Sequence, residues 1–381
     1  MNTRDGTIRV ATRGSDLARR QAAMMKERLE ARRHTVELVE VETTGDQLRD
    51  ELIHRLGKTG AFVRALDERV LDGDCDAAVH SMKDVPTESP DDLVIAGVPR
   101  RATPGDLLVT PDGTTLDDLP EGSVVGTSSL RRKAELLAAR SDLDVRPLRG
   151  NVDTRIEKLL APHRQREHER RMEAAKADDE GGESDGRGED GGSVGDASTY
   201  ERTPQGWFDD LNEVERRSLE REVGTTFDAI VLAAAGLERA GLVGQVDTHE
   251  LSTDAFVPPP GQGALAVTAE DGELAETLHE VLDHPRTRVE TTVERVVLEE
   301  LGGGCVAPMG AHAVIQGEYV RVAVRVLSPN GSEEVAATRD LPIERHPTAA
   351  RDLAAELADR GAADLIDEAR ADDDREAKRA E

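Results

Sequence analysis

The residues whose types and spacing can do chemistry fall in a few short stretches. Ser81, Lys83 and Asp84 follow the apolar run Ala77-Ala78-Val79, and Pro86 ends the pattern. A hydroxyl, an ammonium and a carboxylate packed this closely can bind an acidic substrate and move a proton within it. The same run also reads as a polar loop with solvated charges. A second stretch sets Thr127, Ser128 and Ser129 before Arg131 and Arg132 at a helix start. Hydroxyls, free backbone N–H groups and guanidinium groups there grip carboxylate or phosphate. Arg149, Asn151 and Arg155 surround a third turn at Gly150, and Arg13 with Ser15 opens another helix. A helix N-terminus is an anion site, although a capped helix with an exposed arginine has the same signature. Cys305 closes a Gly302-Gly303-Gly304 run, whereas Cys75 precedes a strand and reads as a small core residue.

Stepping outward to the elements, residues 8–14 predict a strand and tight turn. A helix capped by Ser15 or Asp16 then runs to about Arg33, with Leu17, Met24, Met25 and Leu29 on its apolar face. Val36–Val41 is a strand, and the glycine-flanked loop 57–62 precedes a helix over Val63–Leu71 and reads as a mobile lid. The run from Ala77 reads as a buried strand of a parallel sheet, followed by a strand over Leu93–Val98 and a hinge or crossover over Pro99–Pro104. The theme repeats with strands at 123–126 and 145–148, a helix from Thr154, and a buried strand and turn over 227–236 leading to Arg239. Pro258 to Gly263 reads as a second crossover. Polar groups beyond strand carboxyl ends are where open α/β sheets bind ligands, so the pattern predicts a guanidinium-rich cleft between two lobes. A final unit from about His284 holds a helix over Thr287–Glu300, strands near 311–316 and 319–328, a helix over Ala349–Ala369 and a frayed, charged tail at 371–381.

Composition narrows the partners. The 381-residue chain carries 49 Lys+Arg against 78 Asp+Glu, a formal charge of −29, which argues against nucleic acid because phosphate binding needs a basic face. An acidic excess of this size fits a protein kept hydrated in concentrated salt. No apolar run reaches the roughly 18–20 residues that span a bilayer, and the first residues lack a signal-peptide core. The expectation is a cytoplasmic chain with reduced thiols and no metal. From about 162 to 224 the composition turns mixed-charge, and 178–198 is Gly, Asp, Glu and Ser, too polar to bury a core. This block reads as an acidic, partly disordered insertion, with Trp207 and Phe208 starting a short piece that docks back.

Taken in order, Ala11-Thr12-Arg13, Ala78-Val79-His80-Ser81-Met82-Lys83-Asp84, Gly126-Thr127-Ser128-Ser129-Leu130-Arg131-Arg132, Leu148-Arg149-Gly150-Asn151-Val152 and Gly303-Gly304-Cys305 resemble the hydroxymethylbilane synthase (porphobilinogen deaminase) family. The resemblance implies an α/β fold of two periplasmic-binding-protein-like βα lobes flanking a cleft, plus a smaller C-terminal α/β domain carrying a cofactor cysteine. Mapped here, these are 1–98 with 264–282, then 99–263, then 283–370, followed by the tail. It implies a cytoplasmic monomer that joins four porphobilinogen molecules head to tail, with loss of ammonia, into hydroxymethylbilane. The implied cofactor is dipyrromethane, held on Cys305 by a thioether.

Carried over residue by residue, Asp84 matches the family's catalytic carboxylate. Ser81, Lys83, Thr127, Ser129, Arg131, Arg132 and Asn151 match cofactor contacts, and Arg13, Ser15, Ser128, Arg149, Arg155 and Arg239 match substrate contacts. The chemistry agrees: each extension adds carboxylates and ejects an amine, leaving a cationic azafulvene. A fixed carboxylate stabilises that charge and shuttles the proton, and neighbouring arginines keep it ionised. Charge-assisted hydrogen bonds of about 1.5–3 kcal/mol each hold a polyanion despite the overall acidity. The long 162–224 block and the Gly57-Lys58-Thr59-Gly60 loop depart from the family pattern. The competing reading is a two-lobed solute-binding protein without catalysis, which fold alone does not exclude. A cysteine hydrolase lacks a Cys–His–Asn pattern around Cys305.

Overall fold

β1 (Thr7–Arg13) is apolar enough at Ile8, Val10 and Ala11 to be buried on both faces, as a central strand requires. The computed structural model describes residues 6–41, 61–88, 90–181, 200, 202–302 and 307–379. β1 pairs in parallel with β2 (Thr35–Val41) and with β3 (Ala77–Ser81). Ser15 caps α1 (Asp16–Glu30), accepting from the Ala18 N–H at 3.3 Å. Its buried stripe is Ala22, Met25 and Leu29; Met24 lies outside it and is 39% exposed, a correction to the wider apolar face expected. α2 (Ala61–Leu71) covers β1, β3 and the returning strand β10 (Leu265–Glu270).

That returning strand corrects the all-parallel expectation. β10 lies antiparallel between β3 and β4 (Leu93–Gly97), so the first sheet runs β2-β1-β3-β10-β4. The second sheet has the same plan. β5 (Asp106–Thr110) is its antiparallel member, and the order is β7 (Asp144–Arg146), β6 (Val124–Gly126), β8 (Ala229–Ala233), β5, β9 (Asp247–Leu251). Two irregular passages, 98–105 and 252–264, join the lobes. Each delivers the chain directly into the antiparallel strand of the opposite sheet. Helices α3 (Leu130–Ala139) and α4 (Val152–Gly181) follow β6 and β7.

α4 runs through Pro162 for 30 residues, and the insertion borders expected at 162 and 224 are corrected by what packs on it. α5 (Pro204–Asp210) and α6 (Glu213–Leu219) lie against α4. An Asn212–Glu215 capping box starts α6, which buries Val214 and Ser218. Gln165 donates to the carbonyls of Leu219 at 3.1 Å and Arg221 at 2.7 Å, while Arg217 and Arg221 pair with Glu157. In so acidic a chain, charged residues serve as packing staples, and composition alone does not set the borders of an insertion. Arg171 lies over the Tyr200 ring at 4.2 Å and the Trp207 ring at 5.3 Å, so the aromatic piece does dock back. The polar stretch 182–199 is outside the described residues.

α8 (Glu273–Leu282) leads to the last unit, where α9 (Pro285–Glu300) packs on an antiparallel sheet of β11 (Met309–Gln316), β12 (Tyr319–Leu327) and β13 (Glu334–Pro342). β13 escaped the sequence reading because it buries little beyond Leu341; its ladder to β12 holds it. The single helix expected over 349–369 is two, α10 (His346–Asp359) and α11 (Ala362–Arg379), broken at Gly361 with φ +95°. The expected frayed tail is helical as far as Arg379, in keeping with its Ala, Arg, Glu and Lys content.

Candidate active site

β3 is buried through His80 and surfaces at half-buried Ser81. One 3-10 turn over Met82–Asp84 then buries Met82 and leaves Lys83 and Asp84 exposed. The turn is gripped on several sides. The Met82 N–H donates to Ala264 O at 3.0 Å, and Arg295 of α9 donates to Val85 O at 2.8 Å and Pro86 O at 2.7 Å. Gly261, at φ +75°, backs onto it so closely that a Cβ would stand 2.6 Å from Met82 Cγ and 3.1 Å from Lys83 N. Behind the strand, His80 Nε2 lies 2.9 Å from Asp67 Oδ1 and 3.0 Å from Thr268 Oγ1.

The facing loop is shaped by its own hydroxyls. Thr127 Oγ1 accepts from the Ser129 N–H at 3.2 Å, Ser128 Oγ donates to Leu148 O at 2.6 Å, and Ser129 Oγ accepts the Arg132 N–H at 3.4 Å as the cap of α3. Arg131 and Arg132 were read as an open grip. They are instead buried and share Asp106: Arg131 Nη2 donates to Oδ2 at 2.5 Å and Arg132 Nη2 to Oδ1 at 2.7 Å. Arg131 Nη1 also donates to Glu135 at 2.5 Å and to Val257 O at 2.9 Å. Each keeps a buried Nε with no hydrogen-bond partner among the described residues, as does Arg239. Asp106 was missed because it opens an apolar strand, and its partners lie 25 and 26 positions away.

The charges are unevenly balanced. Burial works to raise the Asp106 carboxyl, but Arg131 and Arg132 hold it well below the usual carboxylate range. Burial pushes Glu135 up to about 7 against the pull of Arg131. Lys83 is open to water yet lies close to Asp84, Arg132 and Arg155. Its ammonium is depressed by desolvation and by Arg132 and Arg155, with Asp84 opposing. Arg155 is pushed down to about 10 by burial, then by Arg132 and Arg149. The structure thus brings Lys83, Asp84, Arg132, Arg149 and Arg155 together, with Arg155 Nε fixed on Gly150 O at 2.8 Å. Cations held in mutual repulsion, with buried Nε–H groups beside them, fit a polyanionic group.

Arg13 is half-buried at the carboxyl end of β1, and Asn151 is exposed at the start of α4. The Ser15 hydroxyl caps α1. Arg239, at the end of the short helix α7 (Ala234–Ala240), donates to Gly263 O at 2.6 Å, and burial depresses its guanidinium. Cys305 and the 57–60 loop lie outside the described residues.

A family model described as the porphobilinogen deaminase dipyromethane cofactor binding domain matches residues 8–167 and 212–277, and that of the porphobilinogen deaminase C-terminal domain matches 289–360. The chain belongs to the porphobilinogen deaminase family. A probable porphobilinogen deaminase of Halobacterium salinarum is 56% identical over 95% of this chain and 98% of its own. One from Methanococcoides burtonii is 35% identical over 94% and 96%. Among solved structures, a methionine binding protein aligns over 73% of this chain and 90% of its own at 13% identity and a TM-score of 0.35, too distant to bear on function. As a porphobilinogen deaminase the chain is a transferase of porphyrin biosynthesis with a dipyrromethane cofactor. The family match leaves out 168–211, narrower than the block expected from composition. Among the described residues no helix is long and apolar enough to cross a membrane, and no His/Cys/Asp/Glu group could hold a metal.

Proposed function

We propose that the cleft condenses four porphobilinogen molecules head to tail into hydroxymethylbilane, releasing one ammonia at each addition. The observation that carries this reading is the clamped turn presenting Lys83 and Asp84 to the Arg132, Arg149 and Arg155 cluster. When bound on Cys305, the dipyrromethane would supply a nucleophilic pyrrole carbon for chain growth. The rest is work for the chain's own side chains. Asp84 sets a carboxylate where ammonia departs and leaves the substrate's pyrrole cationic, stabilising the charge that remains and holding the proton in transit. Lys83, Arg13, Arg149, Arg155 and Arg239 take the acetate and propionate carboxylates. Ser81, Thr127, Ser129, Asn151 and the Nε–H groups of Arg131 and Arg132 orient the cofactor, while Ser15 and Ser128 act by fixing the backbone around the substrate arginines.

The three units (1–98 with 264–282, 99–263, and 283–370) act as separate bodies around this cleft. The chain works as a cytoplasmic monomer, with neither nucleic acid nor membrane as partner. Asp84→Asn keeps the shape and removes the charge, so ammonia release from porphobilinogen should fall by at least a hundredfold while the melting temperature stays close to that of the unaltered chain. Intact mass should show one dipyrromethane per chain, lost in Cys305→Ser. Turnover by Asp84→Asn at the unaltered rate would refute the carboxylate's role. A solute-binding protein would show no turnover and no added mass.

A further inference from the structure

Asp106 does more than neutralise two arginines. It is the first residue of β5, directly after the 98–105 passage, and its side chain is fully buried. Its Oδ1 accepts from Gln262 Nε2 at 2.9 Å as well as from Arg132. Gln262 belongs to the other passage, and its Nε2 also donates to Pro104 O at 2.5 Å. The Gln262 carbonyl accepts from Arg101 Nε at 2.8 Å, and Arg101 forks onto Glu294 of α9 at 2.7 and 3.1 Å. One line of buried polar contacts therefore runs from the arginine pair through both passages to the last unit.

We infer that Asp106, tied by Gln262, is a positioning residue that aims Arg131 and Arg132 at the cleft and couples that aim to the two passages between the lobes. The inference rests on the anion-binding reading of the cleft given above. Two guanidinium groups on adjacent residues repel each other and gain from separating. A shared carboxylate holds both with their terminal nitrogens turned inward, so that only the Nε edges remain for a bound anion. Any hinge movement that shifts Gln262 must also shift Asp106, and with it both arginines. Binding and lobe geometry then bias one another, as linkage requires.

The two links predict different kinetic signatures in the full-length chain with porphobilinogen. Asp106→Asn adds one uncompensated positive charge, so bound anions are held more tightly but wrongly aimed. Its kcat and KM should fall together, kcat by at least tenfold, and inorganic pyrophosphate should raise its melting temperature at a several-fold lower concentration than in the unaltered chain. Gln262→Met conserves volume, leaves the arginine–Asp106 contacts in place, and removes the Gln262 contacts to Asp106 at 2.9 Å and to Arg132 Nη2 at 3.3 Å. It should lower kcat at least tenfold with KM within threefold and the cofactor mass retained. Unaltered kcat in Gln262→Met, or an unaltered pyrophosphate response in Asp106→Asn, would overturn the inference. So would a kcat loss in Gln262→Met that merely follows loss of cofactor mass. If Asp106→Asn does not fold, Gln262→Met decides alone. No turnover by the unaltered chain would sink the functional reading instead, which keeps the two failures apart.

Discussion

Gly261→Ala is the sharpest probe of how the Met82–Asp84 turn is held. The residue sits at φ +75°, and an added methyl would stand 2.6 Å from Met82 Cγ and 3.1 Å from Lys83 N. The left-handed backbone costs a non-glycine residue about 1–2 kcal/mol, and forcing a methyl into a filled site costs roughly 1–3 kcal/mol more. The sum is about 2–5 kcal/mol of stability. The functional loss should be larger, because relief of the overlap moves Lys83 and Asp84. A misplacement of about 1 Å in a reacting group costs on the order of a hundredfold in rate. Gly244→Ala is the matched control: φ is +79°, but nothing lies within 4 Å of its added methyl. Urea unfolding and porphobilinogen turnover of both variants, at one salt concentration, separate backbone strain from overlap. The reasoning fails if Gly261→Ala loses no more stability than Gly244→Ala, or if it turns over substrate at the unaltered rate.

Glu135 gives a pH signature. Its folded value of about 7 stands above the ordinary 4.5, so the folded state binds the proton more tightly and this group's contribution to stability falls as pH rises from about 4.5 to 7. Glu135→Gln should flatten that slope in melting temperatures between pH 5 and 7.5, and an unchanged slope would refute the assignment. Asp106 has the opposite sign: its depressed value contributes stability above the usual carboxylate range that is lost as pH falls through it. Removing 168–211 with a short linker should leave turnover largely intact, whereas a deletion extended to 222 also takes α6 with its Gln165 contacts and should lower the melting temperature by several degrees. With a formal charge of −29, melting temperature should rise between 0.1 and 1 M salt as the Debye length shrinks from about 10 to about 3 Å; a flat or falling series would contradict the salt-adapted reading.

The Met82–Asp84 turn was legible because its cues are local: an apolar strand, a polar exit and a proline stop within ten residues, Ala77 to Pro86. The same holds for the Ser15 cap, whereas the capping role of Ser129 was not read from the sequence. Asp106, Gln262 and Glu294 were not legible, because each is defined by partners far along the chain. In a sequence, Asp106 is one more acidic residue among 78. Arg131 and Arg132 were found, yet their orientation depends on that unseen carboxylate. The direction of β10 was hidden for the same reason: an apolar run carries no sign of which way it will be entered. Charge-rich helices were counted into the insertion because burial in α6 rests on a few residues, Val214 and Ser218, between charged ones.

The exchange of strands between the sheets bears on how the chain can be made. β3 emerges from the ribosome early, yet its neighbour β10 pairs His80 with Ala266, so the first lobe cannot close until nearly the whole second lobe has been synthesised. Until then β4 has no partner and the apolar faces around Val79 and Ala96 stay uncovered. Contacts this distant in sequence form slowly and leave aggregation-prone surface exposed in the interval. Neither lobe is a finished module in isolation. The cleft between them is therefore assembled late and in one step, after translation has passed residue 270.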